Sequence, residues 1–540
     1  MKQKSKFLQT EGAIKSLKDF RNFIIKNALF FLIILGVSFL IYGNVIKGDF
    51  LNLDDQEGIV TNLTIRDFKK SIQSFNSNNI YLAILYKFFG LKSWAYHIGS
   101  IVMHSIVGIL VFTFVYLLFG KKPALISTFL FLVHPVNTEA VSWLSGKVYL
   151  FTAICIMPIL ISWILYRKTG KKITLIFLFI WYSFALFINN SPWLLVAPFL
   201  LVVIDQFFYE ENILINWTKV KEYLIVGIPS LAYALFVFTS RFGERVTSLV
   251  VEYYQDPEYR VPILNRVPYI IYMQLRQLVF PVYLSIYHEG NFISSIMYTI
   301  MIIVTAVYIR IIIKKWRQDR ILTGLLILIP LTLLPSFSPV SVAWLAADRY
   351  VYMGSIFYSI FLAGLILWLK KKLDLENFDV VASIVLFSMF FIRVFLRNQD
   401  YHSSKNMWLA TLKTAPNSYR VYNNLGDVYS NEGKLDLALE NFFKSVQLKP
   451  NYADAVHNIG YTYFVKGEID KAEYYLKKSF EMNPLLVESL HKLALLEFQR
   501  QNNTAAREYL NRALEINPNF ILAQESLKNL NQIEVQQVNQ

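Results

Sequence analysis

The sequence has very little cysteine and little charge, and each shortage excludes a class of protein. Cys155 is the single cysteine among 540 residues and lies in an apolar run, which excludes a disulfide framework and a thiolate metal centre. Only 17% of the residues are charged, whereas 55% are hydrophobic. Several apolar runs reach the length that spans the hydrocarbon core of a bilayer. The composition therefore predicts a polytopic membrane protein.

The basic residues do not indicate a nucleic-acid partner, although the formal net charge is +15. Lys and Arg cluster at the ends of apolar runs, where membrane orientation explains them better than a nucleic-acid interface does. Residues 1–26 carry an excess of basic over acidic residues, so the N-terminus is expected in the cytoplasm. The lipid bilayer is the partner that this charge pattern predicts.

Basic turns between the apolar runs predict a multi-pass protein of the cell membrane. About eleven helices are expected, near residues 27–46, 95–119, 123–135, 147–166, 173–189, 192–209, 223–240, 293–313, 321–335, 351–369 and 379–396. The outer loops are then 47–93, 136–146, 241–292 and 336–350. An odd number of crossings places everything after Arg397 on the non-cytoplasmic side.

A second domain follows the last predicted membrane helix. Pro416, Pro450, Pro484 and Pro518 recur at intervals of 34 residues, the period of tetratricopeptide repeats. Small residues within each repeat allow paired helices to approach closely. We therefore predict an all-α chain, with a membrane helical bundle over residues 1–398 and an α-solenoid over residues 399–540. The full repeats are expected near 417–450, 451–484 and 485–518, with partial repeats on either side.

Polar residues interrupt the apolar sequence at the predicted outer ends of the helices. Asp54 and Asp55 are adjacent just after the first helix, where two carboxylates indicate a reaction, a bound cation or a solvated loop. Further candidates on this face are His134, Glu139, Lys147, Arg276, Arg349 and Tyr350. Carboxylates, a histidine and several cations on one membrane face suit an anionic lipid headgroup. Taken singly, His134, Lys147 and Arg349 each have a structural alternative as an interfacial or flanking residue.

Several strings, in this order along the chain, resemble a known family. They are Asn52-Leu53-Asp54-Asp55, His134-Pro135 with Thr138-Glu139-Ala140-Val141, Pro281 with Leu284-Ser285, Asp348-Arg349-Tyr350, and the appended repeats. They are similar to the transmembrane and tetratricopeptide repeat O-mannosyltransferases of the GT-C superfamily. The resemblance covers nearly the whole chain. It implies a GT-C-like membrane domain that transfers a sugar, with inversion, from a polyprenyl phosphate of the undecaprenyl or dolichyl type.

The resemblance also implies roles for the candidate residues. Asp54 would be the general base that takes the proton of the acceptor hydroxyl, and Asp55 would assist it or hold a divalent cation such as Mg or Mn. Arg349 would stabilise the leaving phosphate. Glu139 would orient His134. The implied donor phosphate- and sugar-binding set is His134, Glu139, Lys147, Arg276, Arg349 and Tyr350.

Two positions depart from the family pattern. Asn189-Asn190 replace a Lys-Glu pair that many members carry, and Ile286-Tyr287-His288 follow the Leu-Ser pair where an Asp is common. The sugar or the acceptor can therefore differ from mannose and protein Ser/Thr. The sequence has no Gly-rich phosphate loop and no strand-rich nucleotide-binding region, so a nucleotide-sugar donor is not expected.

The repeats predict a protein or peptide acceptor. Polar residues on first helices of the repeats are placed to hydrogen-bond a peptide backbone, although solubility also demands polar residues there. They are Arg420, Asn423, Asn424, Asp427, His457, Asn458 and Lys492. Two alternatives to protein glycosylation stay open. One is sugar transfer to a lipid or a cell-surface glycan, and the other is a non-catalytic membrane scaffold or transporter.

Overall fold

The computed structural model describes residues 14–189, 191–209, 220–252, 263–288, 294–337 and 346–538, and the secondary structure of these residues is helical throughout. The predicted all-α class is confirmed. Asn190 and parts of the predicted outer loops 241–292 and 336–350 lie outside the described residues. The described residues form two compact units, one ending at Asn406 and one beginning at Met407.

The first unit consists of apolar helices joined by short loops and 3-10 turns. Each of the eleven predicted membrane segments overlaps one of its helices. The helices are Leu17–Lys26, Ala28–Tyr42, Leu63–Arg66, Phe68–Gln73, Ser77–Phe89, Ser93–Phe119, Lys121–Leu132, Thr138–Ser142, Val148–Thr169, Lys172–Asn189, Ala197–Phe208, Leu224–Glu252, Ile263–Val279, Ser295–Lys315, Arg320–Leu331, Tyr352–Leu373 and Phe378–Asn398. Four 3-10 turns matter for the candidate site: Pro135–Asn137, Leu144–Lys147, Pro192–Val196 and Asp348–Val351.

Seven helices among the described residues are long and apolar enough to cross a membrane. Lys121–Leu132 and Pro135–Ser142 would together make an eighth span, although the two are bent by 49°. Pro192–Phe208 and Arg320–Leu331 are apolar but shorter. The membrane-helix architecture is confirmed, whereas the count of eleven spans and their orientation stay predictions.

The bend between Lys121–Leu132 and the following short helix has a local cause. Pro135 has no backbone N–H and disfavours helical backbone at the residue before it, so His134 adopts an extended conformation with φ −67° and ψ 123°. The His134 ring then accepts a hydrogen bond from the Val136 N–H at 3.3 Å and caps the next turn. This bend carries residues 134–147 to one end of the bundle.

The centre of the first unit is formed by Ser93–Phe119, Leu144–Thr169 and Asp348–Leu373, most of whose residues are buried. Ser295–Lys315 and Phe378–Tyr401 are mostly exposed although strongly apolar, which suits helices that face lipid. Lipid supplies little hydrophobic force between helices, so packing and hydrogen bonds between the central helices must hold them together. His104 Nδ1 lies 2.7 Å from the Tyr352 hydroxyl, for example.

The second unit is an α-solenoid of paired helices. Its helices are Tyr419–Asn431, Leu435–Leu448, Ala453–Val465, Ile469–Met482, Val487–Gln499, Asn503–Ile516 and Ile521–Val538, and Ser404–Thr414 precedes them in the chain. Small residues lie where the paired helices are closest: a Cβ on Gly426 would be 2.4 Å from the Phe442 ring. Ala438, Ala472 and Ala506 are fully buried. The spacing that predicted the repeats therefore reflects helix packing.

Candidate active site

Polar residues from four segments of the first unit meet at one end of its helical bundle. The segments are the loop after the first membrane helix, the turn 134–147, the turn Asp348–Val351 and the end of the last membrane helix. Hydrogen bonds tie them together: Ser142 Oγ donates to Asn398 Oδ1 at 2.9 Å, and the Asp49 N–H donates to the His402 carbonyl at 3.0 Å. The structure thus places Asp54, Asp55, Glu139, Lys147 and Arg349 at one end of the unit.

Asp55 is fully buried and its carboxylate is fully engaged by the protein. One oxygen accepts hydrogen bonds from the Ser145 N–H at 2.9 Å and from the Ser145 hydroxyl, and the other accepts from the Leu51 N–H at 3.0 Å. Burial raises the pKa of the Asp55 carboxyl above its ordinary value, although Ser145 and the Lys147 ammonium oppose that rise. Asp55 therefore ties the loop after the first helix to the turn at Ser145.

Asp54 is exposed and accepts no hydrogen bond from the described residues. Its carboxylate interacts electrostatically with the Tyr350 hydroxyl. The two adjacent acids therefore differ in surroundings: Asp55 fixes the loop, and Asp54 is left open to a ligand. A base that must reach a hydroxyl proton needs this accessibility.

Arg349 packs against Tyr350, the residue with which Asp54 interacts. Its guanidinium pairs with the fully buried Glu139, which also accepts the Arg349 N–H at 3.1 Å. The guanidinium carbon lies 5.1 Å from the centre of the Trp143 ring and 5.2 Å from that of Tyr350. Ion pairing and two aromatic faces hold a nearly buried guanidinium in one position, as an anion-binding group requires.

Glycine at position 146 permits this arrangement. A Cβ there would lie 2.8 Å from the Glu139 carbonyl oxygen and 3.1 Å from the Ala140 Cα. The turn Leu144–Lys147 consequently packs directly on the helix that carries Glu139, and the Lys147 Nζ donates to the Leu144 carbonyl at 2.7 Å. Lys147 is almost buried and interacts electrostatically with Asp55.

Asp348 is the centre of a second buried charge network that the sequence predictions missed. Its Oδ1 accepts from Gln277 Nε2 at 2.9 Å and from His288 Nε2 at 2.8 Å, and its Oδ2 accepts from Arg397 Nη2 at 2.8 Å. Arg397 also donates to the Leu284 carbonyl at 3.0 Å. The sequence contains one signal of this network, because Gln274, Arg276 and Gln277 interrupt the apolar stretch that ends at Val279.

Two predicted donor-binding residues have other surroundings. His134 is fully buried, and its Nε2 lies 3.1 Å from the Leu278 carbonyl while its Nδ1 caps the turn after Pro135. Glu139 pairs with Arg349 and does not orient His134. Arg276 lies over the Tyr283 ring, with its guanidinium carbon 5.4 Å from the ring centre, and has no carboxylate partner among the described residues. Donor binding by His134 or Arg276 stays a prediction that these contacts do not favour.

The acids and histidines of the described residues do not form a group of three or more that could hold a metal ion. Both oxygens of Asp55 already accept hydrogen bonds from Leu51 and Ser145. A divalent cation at Asp55 remains a prediction.

In the second unit, several predicted acceptor-binding residues link neighbouring repeats. Asn458 Nδ2 donates to Asn423 Oδ1 at 3.0 Å, and His457 Nδ1 lies 2.8 Å from the Ser489 hydroxyl. Burial lowers the pKa of His457 to about 4, and the Lys492 ammonium contributes to that decrease. These side chains form a polar row across the first helices, because each contact joins one repeat to the next.

The remaining predicted solenoid residues differ in their contacts. Asn424 donates to the Arg420 carbonyl of its own helix at 2.8 Å. The Lys492 ammonium lies 4.0 Å from the centre of the Tyr461 ring. Burial and the Asp454 carboxylate raise the pKa of Asp427 to about 7.

Comparison with known proteins agrees with both parts of the chain. Residues 419–452, 453–484 and 487–520 match models of the tetratricopeptide repeat family. The chain is 24% identical over 461 residues to "Protein O-mannosyl-transferase F38B6.6" of Caenorhabditis elegans, covering 77% of this chain and 62% of that protein. It is 23% identical over 398 residues to "Protein O-mannosyl-transferase TMTC3" of Homo sapiens, covering 66% of this chain and 43% of that protein. The resemblance to the transmembrane and tetratricopeptide repeat O-mannosyltransferases is confirmed, and the chain spans less than two thirds of the length of these relatives.

Two solved structures are similar in part. The alignment with the crystal structure of MamA covers 26% of this chain and 80% of the MamA chain, with 24% identity and a TM-score of 0.23. The alignment with YrrB, described as a TPR protein with an unusual peptide-binding site, covers 31% of this chain and 91% of the YrrB chain, with 20% identity and a TM-score of 0.22. At these TM-scores the likeness supports no statement about the function of this chain.

Proposed function

We propose that this chain is an inverting GT-C-type glycosyltransferase that O-mannosylates a protein, with a polyprenyl-phosphate-linked sugar as donor. The relatives are named as protein O-mannosyl-transferases, and repeats of this kind are common protein-binding modules. The observation that carries the proposal is an exposed acid at the same end of the bundle as a fixed cation. Asp54 is open and interacts with Tyr350, which packs against the guanidinium of Arg349.

The proposed reaction is a single displacement at the anomeric carbon of the donor sugar. An acceptor hydroxyl oxygen bonds to C1 while the bond between C1 and the phosphate oxygen breaks, and the electron pair leaves with the polyprenyl phosphate. Asp54 takes the hydroxyl proton. Attack opposite the leaving phosphate inverts the configuration at C1.

The charge that develops on the leaving phosphate is the other requirement of the reaction. A guanidinium suits it, because its planar N–H groups match phosphate oxygens and it stays charged at any physiological pH. Glu139, Trp143 and Tyr350 hold Arg349 before the donor arrives, so little reorganisation is needed as the charge forms. Lys147 is a weaker candidate, since it is nearly buried and donates to the Leu144 carbonyl.

The solenoid is proposed to bind the protein acceptor. The polar row that includes Asn423, Asn458 and His457 supplies amide and imidazole groups of the kind that hydrogen-bond an extended peptide. The whole reaction is proposed on the non-cytoplasmic face, since the positive-inside rule places the loop of Asp54 there.

The experiment that tests the proposal measures sugar transfer by the purified chain in proteoliposomes. Polyprenyl-phosphate mannose is the donor, envelope proteins are acceptors, and mass spectrometry counts the added hexose. Asp54→Asn should lower the rate by about 10²- to 10⁴-fold, the usual contribution of a general base. Asp49→Asn is the matched control, because Asp49 is exposed in the same loop. Transfer by Asp54→Asn at the wild-type rate would refute the base assignment.

Truncation after Asn406 separates the protein acceptor from the rival acceptors. The proposal expects the truncated chain to lose transfer to proteins. The rival enzyme would be favoured if the full chain transfers sugar to a lipid or glycan but not to proteins, and the truncated chain keeps that transfer. Absence of transfer from any polyprenyl-phosphate sugar in the full chain would favour the scaffold.

A further inference from the structure

Three aromatic rings from three separate segments meet beside Arg349. The ring centres of Tyr149 and Trp193 are 6.0 Å apart, those of Tyr149 and Tyr350 are 5.8 Å apart, and those of Trp193 and Tyr350 are 5.7 Å apart. Each ring therefore contacts the other two. We call this group the aromatic trio.

The aromatic trio differs from ordinary core packing in its exposure. All three residues are partly exposed, whereas large aromatic residues of the bundle core, such as Phe357 and Trp163, are fully buried. Membrane proteins also carry aromatic belts, in which Trp and Tyr lie at the level of the lipid headgroups. The trio instead gathers next to a nearly buried guanidinium.

The contact between Tyr350 and Arg349 places the aromatic trio beside the proposed phosphate-binding cation. Tyr350 packs against the Arg349 guanidinium and interacts with the Asp54 carboxylate, and Tyr149 also interacts electrostatically with Arg349. A group held against Tyr350 would lie beside the proposed phosphate-binding cation. In the donor, the group bonded directly to the phosphate is the sugar.

Hydroxyl and amide groups flank the aromatic trio along the chain. Thr152 lies one helical turn after Tyr149, and Ser191 lies two residues before Trp193. Thr152 Oγ1 lies 3.4 Å from both the Ser191 hydroxyl and Asn189 Nδ2. A sugar-binding site commonly combines these two elements, because rings pack on the C–H face of the sugar and polar groups select its hydroxyls.

The geometry points to the aromatic trio as the platform for the hexosyl ring of the donor, with Arg349 beside it for the phosphate. This inference rests on the proposed function, because it takes a polyprenyl-phosphate sugar as the ligand. It names a sugar-binding subsite, of which only Tyr350 was predicted from the sequence. It assigns Tyr149 and Trp193 to donor recognition and leaves the proton transfer with Asp54.

Binding of two probes to the purified full-length chain in nanodiscs tests the platform. The probes are a short-chain polyprenyl phosphate with mannose and the same lipid without it, and calorimetry gives both dissociation constants. Trp193→Ala should weaken binding of the mannosylated probe about tenfold and that of the bare phosphate less than about twofold. Trp193→Phe should retain most of the preference, because it keeps a ring.

Trp316→Ala is the matched control. Trp316 is 44% exposed and packs on Phe207. Phe207 lies at the end of the apolar segment Pro192–Phe208, whereas Trp193 lies at its start. Trp316→Ala should leave the binding of both probes unchanged. Thermal unfolding of each variant checks that the fold is kept. If Trp193→Ala unfolds, Tyr149→Ala, which removes another ring of the aromatic trio, should lose the preference for the mannosylated probe, and an unchanged preference refutes the platform.

The outcomes separate this inference from the proposed function. If wild type binds both probes and Trp193→Ala changes neither, or weakens both equally, the platform is wrong while the donor class stands. If Trp193→Phe weakens mannose binding as much as Trp193→Ala, ring stacking is also refuted. If wild type binds neither probe, the proposed donor fails, and the platform fails with it.

Discussion

Substitution of Asp55 by Asn tests whether this buried acid is structural. Asn has the same shape, so its Oδ1 can keep the two bonds from Ser145, but its Nδ2 would face the Leu51 N–H, a second donor. A buried donor without an acceptor costs about 1–3 kcal/mol, and bonds to a charged acceptor are worth more than neutral ones. Asn carries no charge, so the substitution also removes the cost of burying a carboxylate, which offsets part of this loss. We therefore expect a net loss of about 2 kcal/mol of unfolding free energy.

The pH dependence of this loss has a definite sign. Because burial raises the folded-state pKa of Asp55, the folded chain holds this proton more tightly than the unfolded chain does. The contribution of Asp55 to stability is then complete at a pH below about 4, the unfolded value, and falls as the pH rises through the folded-state pKa. Asn does not titrate, so the gap between wild type and Asp55→Asn should narrow as the pH rises.

Thermal unfolding of the purified chain in detergent, at several pH values from about 4 to 8, measures both effects. Asp49→Asn, exposed in the same loop, should unfold like wild type. A Ser145→Ala variant and the double variant complete a cycle. The double variant should lose less than the sum of the two single losses, because the Ser145 hydroxyl bond is worth less with a neutral amide acceptor than with a carboxylate. The structural role is refuted if Asp55→Asn unfolds like wild type but has lost sugar transfer, because Asp55 would then act in the reaction.

Three further predictions follow from particular contacts. Arg349→Lys keeps the charge but loses the planar contacts with Trp143 and Glu139, so kcat for sugar transfer should fall about 10²-fold or more. Gly426→Ala places a Cβ 2.4 Å from the Phe442 ring and should lower the unfolding free energy of the solenoid by about 1–3 kcal/mol, as measured by urea titration followed by circular dichroism. Because the pKa of Asp427 is raised to about 7, its contribution to solenoid stability should fall as the pH rises from about 4 through 7, and Asp427→Asn should abolish this dependence in melting curves. Full activity of Arg349→Lys, wild-type stability of Gly426→Ala, or an unchanged pH profile of Asp427→Asn would contradict the respective contact.

The two-part architecture could be predicted from the sequence because its causes are local. Apolar length alone indicates membrane helices, and the 34-residue spacing of Pro416 to Pro518 indicates stacked helix pairs. The number of spans could not be settled in the same way. Pro135 breaks one apolar run into two helices at 49°, and two other runs form helices too short for a simple crossing. Whether such helices cross depends on their neighbours.

The candidate site could be predicted only in part, because its contacts join distant residues. Asp54, Glu139 and Arg349 carry charge at the ends of apolar runs, which is visible in the sequence. The buried state of His134 is not visible, since its ring nitrogen contacts the carbonyl of Leu278, 144 positions later. The aromatic trio is hidden for the same reason. Aromatic residues make up 16% of the chain, and no local pattern marks Tyr149 and Trp193 among them.

The buried charges around Arg349 are better explained by positioning than by stability. A buried ion pair gains little net stability, because the loss of hydration offsets much of its attraction. Yet Glu139 forms an ion pair with Arg349, and Asp348 forms one with Arg397. The two acids are 209 positions apart in the chain. Arg349, which follows Asp348 directly, joins their segments. These pairs hold Arg349 in place relative to the segments that carry Glu139 and Arg397. A transferase needs that property, since a cation that is already in place stabilises a developing phosphate charge without reorganising during the reaction.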